Sequence, residues 1–78
     1  MKFKKLADLL NKKQKILVCV RYYLTGSETA YQFESNVLTV DKALADYAEY
    51  DVYSIGRDLG VVRIDLRFES QYKMLWRE

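Results

Sequence analysis

Only one stretch of this chain crowds side chains that could do chemistry. It is DYAEYDVYSI, residues 46–55, which sets Tyr47, Tyr50 and Tyr53 among Asp46, Glu49 and Asp51. Carboxylates can ligate a cation or move a proton, and phenols donate hydrogen bonds while presenting a large apolar ring. The spacing suits neither a metal nor a proton relay. Asp41, Asp46, Glu49 and Asp51 do not follow the Asp-x-Asp-x-Asp-Gly order that wraps a calcium ion. The sequence contains no histidine, which removes the commonest general base and zinc ligand, and the single cysteine, Cys19, has no imidazole to activate it. GRDLG, residues 56–60, is bounded by glycines, but it links two strand-like runs and no Lys-Ser or Lys-Thr follows it, so it is not a phosphate loop. The sequence nominates no catalytic residue, no metal ligand and no cofactor, and a non-enzymatic protein is expected.

Binding remains. For a protein partner the candidate surface is Tyr47, Glu49, Tyr50, Asp51 and Tyr53. Tyrosines bring large contact area at low entropic cost, and the carboxylates suit a basic groove, such as one that a host nucleic-acid-binding effector keeps for its nucleic acid. The competing reading is structural. Tyr47 and Tyr50 are three apart, as helical neighbours are, whereas Tyr50, Val52 and Ser54 alternate with Asp51, Tyr53 and Ile55 as in a strand. On that reading the cluster is a helix-to-strand junction whose rings cover a seam and whose hydroxyls stay in water. A second function class, nucleic-acid binding, rests on Lys4, Lys5, Lys12, Lys13 and Arg21 with Tyr22 and Tyr23, because lysines neutralise phosphates and aromatics stack on bases. The same lysines also read as the solvated face of an amphipathic helix. A structural homodimer, pairing an uncovered sheet edge with its copy, is the third class.

The elements that must position these residues follow from periodicity. In FKKLADLLNKKQK the apolar residues Phe3, Leu6, Ala7, Leu9 and Leu10 line one side of a helix, which should end in the apolar-free run Asn11–Lys15. KILVCVRYYL is β-branched and aromatic, with Ile16, Val18, Val20, Tyr22 and Leu24 on one face and Leu17, Cys19 and Tyr23 on the other, so a central strand covered on both sides over its first half is expected. TGSE turns the chain, and AYQFES returns as a short second strand with Tyr31 and Phe33 inward and Gln32 and Glu34 outward. Ser35 and Asn36 read as a break. Thr39 or Asp41 then caps a short helix through DKALADYA, with Val40, Leu44 and Tyr47 on its inner face. GRDLG is a hairpin turn into VVRIDLRFES, where Val62, Ile64, Leu66 and Phe68 face a core and Arg63, Asp65, Arg67 and Glu69 face water. The tail SQYKMLWRE reads equally as a helical turn or a strand continuation, with Trp76 either pinned to the core or offered to a partner. The expected fold is one α+β domain over residues 1–78, an N-terminal helix followed by two antiparallel hairpins with a short helix between them, α-β-β-α-β-β.

Composition agrees with a folded domain: half of the residues are hydrophobic, 31% are charged and none is proline. The formal charge of +2 is unevenly placed. Residues 1–15 hold six lysines against Asp8, and the remainder carries seven basic against ten acidic residues. The longest apolar run, ILVCV, falls far short of a membrane span, Asp8 interrupts the only signal-like segment, and the lone Cys19 reads as a buried strand thiol in a reducing, cytoplasmic setting.

The opening MKFKKLADLLNKKQKILVCV and the later AEYDVYSIG with its alternating strand resemble small proteins carried by phages and other mobile elements of Gram-positive bacteria. Those proteins open with a leucine helix, enter a Lys-Ile-x-Val strand and later show a Tyr-x-Val-x-Ser-Ile strand. The resemblance implies a context and no site residue. Such proteins often act without catalysis, and some inhibit host defence machinery, CRISPR effectors included, by occupying a surface.

Overall fold

A computed structural model describes residues 1–71, and residues 72–78 of the tail, Trp76 among them, lie outside that range. Helix α1 (Phe3–Ala7) precedes β1 (Lys15–Leu24) and β2 (Gln32–Thr39), after which α2 (Val40–Tyr47) leads to β3 (Asp51–Asp58) and β4 (Val61–Ser70). Both sequential strand pairs are antiparallel hairpins, and β1 and β4 pair in parallel between them to give the sheet order β2-β1-β4-β3. The α+β class and the α-β-β-α-β-β order are those the sequence implies.

Period-2 alternation places Ile16, Val18, Val20 and Tyr22 of β1 beside Ile64 and Leu66 of β4 on one face of the sheet. Against that face α1 packs Phe3, Leu6 and Ala7, and α2 packs Val40, Ala43 and Tyr47, closing one core with Tyr50. At five residues α1 is far below the length at which a helix holds itself in water, so it persists by docking. Two of its otherwise orphaned N-terminal donors are satisfied from the α2–β3 junction: the Phe3 N–H donates to the Tyr50 carbonyl at 2.8 Å and the Lys4 N–H to the Ala48 carbonyl at 3.0 Å.

The structure corrects four local readings. The N-terminal helix stops at Ala7, because tighter i to i+3 bonds from the Leu9 and Leu10 amides to the Leu6 and Ala7 carbonyls replace the next turn and swing Leu9 into solvent. Ser35 and Asn36 do not break β2, which pairs with β1 in an uninterrupted register from Gln32 to Thr39. That register also inverts the strand: Phe33 lies opposite Arg21 on the helix-free face and is 52% exposed, and Glu34 lies opposite Val20 and turns toward the helices. Finally, β1 is covered by helices on one face only, and no described element covers the other. Cys19 is nonetheless buried, since Ser35 and Asp65 flank it from the neighbouring strands.

The β3–β4 turn is shorter than GRDLG. Gly56, Arg57 and Asp58 still pair with Arg63, Val62 and Val61, which leaves Leu59 and Gly60 as a two-residue loop with φ of +54° and +81°. Two positive φ values in succession define the turn that asparagine-glycine fills best. Leucine pays for αL geometry with a clash that asparagine largely avoids, and its side chain here is 90% exposed. Replacing Leu59→Asn is expected to stabilise the fold by about 1 kcal/mol, read as a higher urea midpoint at unchanged slope.

Candidate interaction site

Residues 46–55 are first of all the place where the N-terminus docks. The Val52 N–H donates to the Met1 carbonyl at 2.8 Å, Lys2 bridges to Asp51, and α1 hangs from the carbonyls of Ala48 and Tyr50. The charged side chains repeat the backbone pattern, with Lys2 Nζ 3.1 Å from Asp51 Oδ1 and Lys4 Nζ 2.8 Å from Glu49 Oε1. Both pairs are exposed, so solvent and salt screen them and each adds little to stability. The Lys4 ammonium holds the Glu49 carboxyl below its ordinary range.

Tyr47 and Tyr50, assigned to a partner surface by sequence, are core residues at 4% and 7% exposure. The physical reason is an aromatic cluster beneath the junction. The Tyr50 ring sits 4.6 Å from Phe68, 5.1 Å from Tyr47 and, edge-on, 6.1 Å from Tyr22, spacings at which such pairs add to area burial. Two of these phenols share one acceptor: the Tyr22 hydroxyl donates to Glu34 Oε1, and the Tyr47 hydroxyl donates to the same oxygen at 3.2 Å. That shared acceptor explains why Glu34 faces the helices. Burial, reinforced by Glu34, raises the Tyr22 hydroxyl far above its ordinary range and pushes Tyr47 up to about 12.

Three of the five predicted partner residues stay at the surface. Glu49 and Asp51 line a shallow open cleft with Lys2, Arg67, Phe68 and Glu69, and Tyr53 stands beyond it at 63% exposure. A β-bulge between Val52 and Ser54 makes this arrangement. Ser54 falls opposite Asp65, to which its hydroxyl donates at 2.7 Å, and Tyr53 is left as the extra residue. The bulge shifts the alternation, so Ile55 returns to the helix side opposite Ile64, but near the strand's end and exposed. Met1, Tyr53, Ile55 and Leu59 together form an apolar border along β3 and its turn. Sequence reasoning missed Ile55 and Leu59. A leucine beside glycine in a two-residue turn was the signal for the second, while the bulge that moves the first to the helix side leaves no mark in the residue pattern.

The lysines and Arg21 do not form one basic surface. Lys4 faces Glu49, Lys12 lies 3.8 Å from Asp8 while donating to the Ala7 carbonyl, and Lys13 lies 3.3 Å from Asp41. Arg21 is on the opposite face of the sheet, 5.9 Å over the Phe33 ring, Tyr22 is buried, and Tyr23 lies beneath Arg67 at 4.0 Å. On the same face Arg63 pairs with Asp58 and Asp65, and Arg67 with Glu69. Burial pushes the Cys19 thiol up, which keeps it protonated and a poor nucleophile. Among the described residues no group of three histidines, cysteines or carboxylates is placed to hold a metal ion, and no helix is long and apolar enough to cross a membrane. No protein-family model, curated protein or solved structure matches the chain.

The tyrosine node predicts its own pH dependence. A phenol whose folded value is raised above the unfolded value of 10 contributes stability that is complete below pH 10 and is lost as pH climbs through the folded value of about 12. The denaturation midpoint of the wild type should fall over that window, and Tyr47→Phe should flatten part of the fall. At neutral pH, Glu34→Ala leaves both hydroxyls without their acceptor and should cost about 1–3 kcal/mol, with Glu34→Gln costing less because it keeps a carbonyl oxygen there.

Proposed function

We propose that this chain is a non-enzymatic interaction module that binds a protein partner through the β3 border, with Tyr53, Ile55 and Leu59 as apolar anchors and Glu49 and Asp51 as a polar rim. The observation that carries this reading is Leu59, a leucine held at φ +54° and 90% exposed. Its backbone costs folding energy and its side chain contributes nothing to the core. Strain of this kind is retained where it serves recognition. Tyr53 and Ile55 lie on the strand that leads to it and are likewise large, apolar and uncovered. Central anchors with a charged rim are how small surfaces concentrate binding energy. The partner surface that fits is an apolar pocket with basic residues at its margin, able to exchange with Lys2 and Lys4 for the two carboxylates.

The resemblance to small proteins of phages and other mobile elements supplies the specific form of the proposal: inhibition of a host defence complex, CRISPR effectors included, by occupying a surface on one of its proteins. The nucleic-acid reading has no observation in its favour, since three of its four lysines already face carboxylates and Arg21 lies on the other side of the sheet.

The test uses the immobilised full chain in lysate of a Gram-positive host, with captured proteins identified by mass spectrometry. Wild type should retain a component of a nucleic-acid-directed defence complex. Leu59→Asn, although more stable, and Tyr53→Ser should lose it at least tenfold. Equal recovery on wild type and both variants, with circular dichroism unchanged, refutes the assignment.

A further inference from the structure

The two edges of the sheet are built differently. On β3 the edge is guarded: a bulge lies between Val52 and Ser54, Met1 and Lys2 pair beside its first residues, and Gly56, Arg57 and Asp58 follow. These are the devices that stop one sheet from adding to another. β2 has none of them. It runs QFESNVLT with no bulge, glycine, proline, lysine or arginine, and is paired to β1 over its whole length. Among the described residues, no backbone hydrogen bond beyond the β1 ladder reaches residues 33–38. Its one charge, Glu34, is occupied by the hydroxyls of Tyr22 and Tyr47. On the helix-free face it presents Phe33 and, at 58% exposure, Val37.

A strand that pairs antiparallel with its own copy about a two-fold axis must match itself in both charge and shape. Centring the axis on Glu34 sets two carboxylates against each other. Centring it on Asn36 sets Glu34 against Leu38. Centring it on Ser35 sets Glu34 against an Asn36 amide, which can donate to the carboxylate, and sets Phe33 against Val37 on each side of the axis. Aromatic with β-branched is a favourable cross-strand pair. Arg21, already over Phe33, would roof that pair from β1. We infer that β2 is a self-association edge: two copies of this chain join β2 to β2 antiparallel in the register that places Ser35 opposite Ser35, giving one continuous sheet of eight strands. The occupant is a second copy, because in this register β2 meets itself with Glu34 opposite an amide, Phe33 opposite Val37 and no like charges opposed. The β3 border and Leu59 stay free at the two outer ends, so the dimer does not rest on the partner assignment above.

In this register the two Ser35 Cα atoms lie about 4.5–5.5 Å apart, inside the span of a disulfide. The probe is therefore Ser35→Cys in a Cys19→Ala background, which removes the neighbouring thiol that lies opposite Ser35 within one chain. Gly56→Cys in the same background is the control, an exposed position on the guarded edge where an added Cβ meets nothing. Mild oxidation should convert Ser35→Cys to a covalent dimer while the control stays monomeric, and Asn36→Cys should cross-link more slowly. Independently of any cysteine, light scattering at millimolar protein should give wild type twice its 9.3 kDa mass and Val37→Lys the monomer mass. Faster linkage through Asn36 or Gly56 than through Ser35, or a wild type that stays at 9.3 kDa, overturns the inference.

Discussion

Nine residue pairs, from Ile16 with Val62 to Leu24 with Ser70, join β1 to β4 in parallel, and each residue lies 46 positions from its partner. Nothing else in the fold has both that reach and that much buried surface behind it. Each hairpin alone is a two-stranded ribbon with one apolar face, which is marginal in water. Docked side by side, they align Ile16, Val18 and Val20 with Ile64 and Leu66 as one apolar floor wide enough for two short helices to cover. Closing a loop of that length costs on the order of 3 kcal/mol beyond a fixed term, and only a continuous core repays it. The helices cannot form first: α1 has five residues and α2 eight, both too short to stand alone.

That dependence explains which parts of the fold could be read from the residues. β1, β4 and α2 each bury one face, so each carries its period openly: Val62, Ile64, Leu66 and Phe68 against Arg63, Asp65, Arg67 and Glu69, or Val40, Ala43 and Tyr47 at helical spacing. β2 carries no such record. Its orientation is set by pairing with β1, and Glu34 turns inward for two tyrosine hydroxyls that approach from β1 and α2. A rule that sends phenylalanine in and glutamate out fails there because the deciding contacts are distant in sequence. The N-terminal helix fails for a related reason. Its pattern supports a longer helix, but the amides of Phe3 and Lys4 are held by carbonyls near residue 50, and the chain must then turn to reach β1.

The same distinction divides the candidate site. Tyr47, Tyr50 and Tyr53 are indistinguishable as residue types, yet one bulge and one aromatic cluster separate them into two core rings and one surface ring. Two of the three carboxylates among them, Glu49 and Asp51, are matched to Lys4 and Lys2, so part of the uneven charge along the chain is folded back on itself where the N-terminal segment docks onto the junction. This pairing weakens the two properties that made the stretch look like an acidic binding patch and made the lysines look like a phosphate-binding face.

Most of the large apolar side chains that stay exposed sit at the two sheet edges. A 78-residue domain has little stability to spare, since folding at this size buries only about 60% of the chain's surface. Under that constraint an exposed Phe33, Val37, Ile55 or Leu59 is a cost that sequence drift toward polar residues would readily relieve, most of all at Leu59, where asparagine would also relax the backbone. The edges differ in how they manage the cost. β3 is protected against sheet extension by its bulge, its glycine and the N-terminal segment, so its apolar side chains are available to side-chain recognition but not to strand addition. β2 lacks those protections and keeps its backbone groups in one uninterrupted register, which makes strand addition its natural form of contact. One small sheet thus separates two modes of binding by the local geometry of its two outer strands.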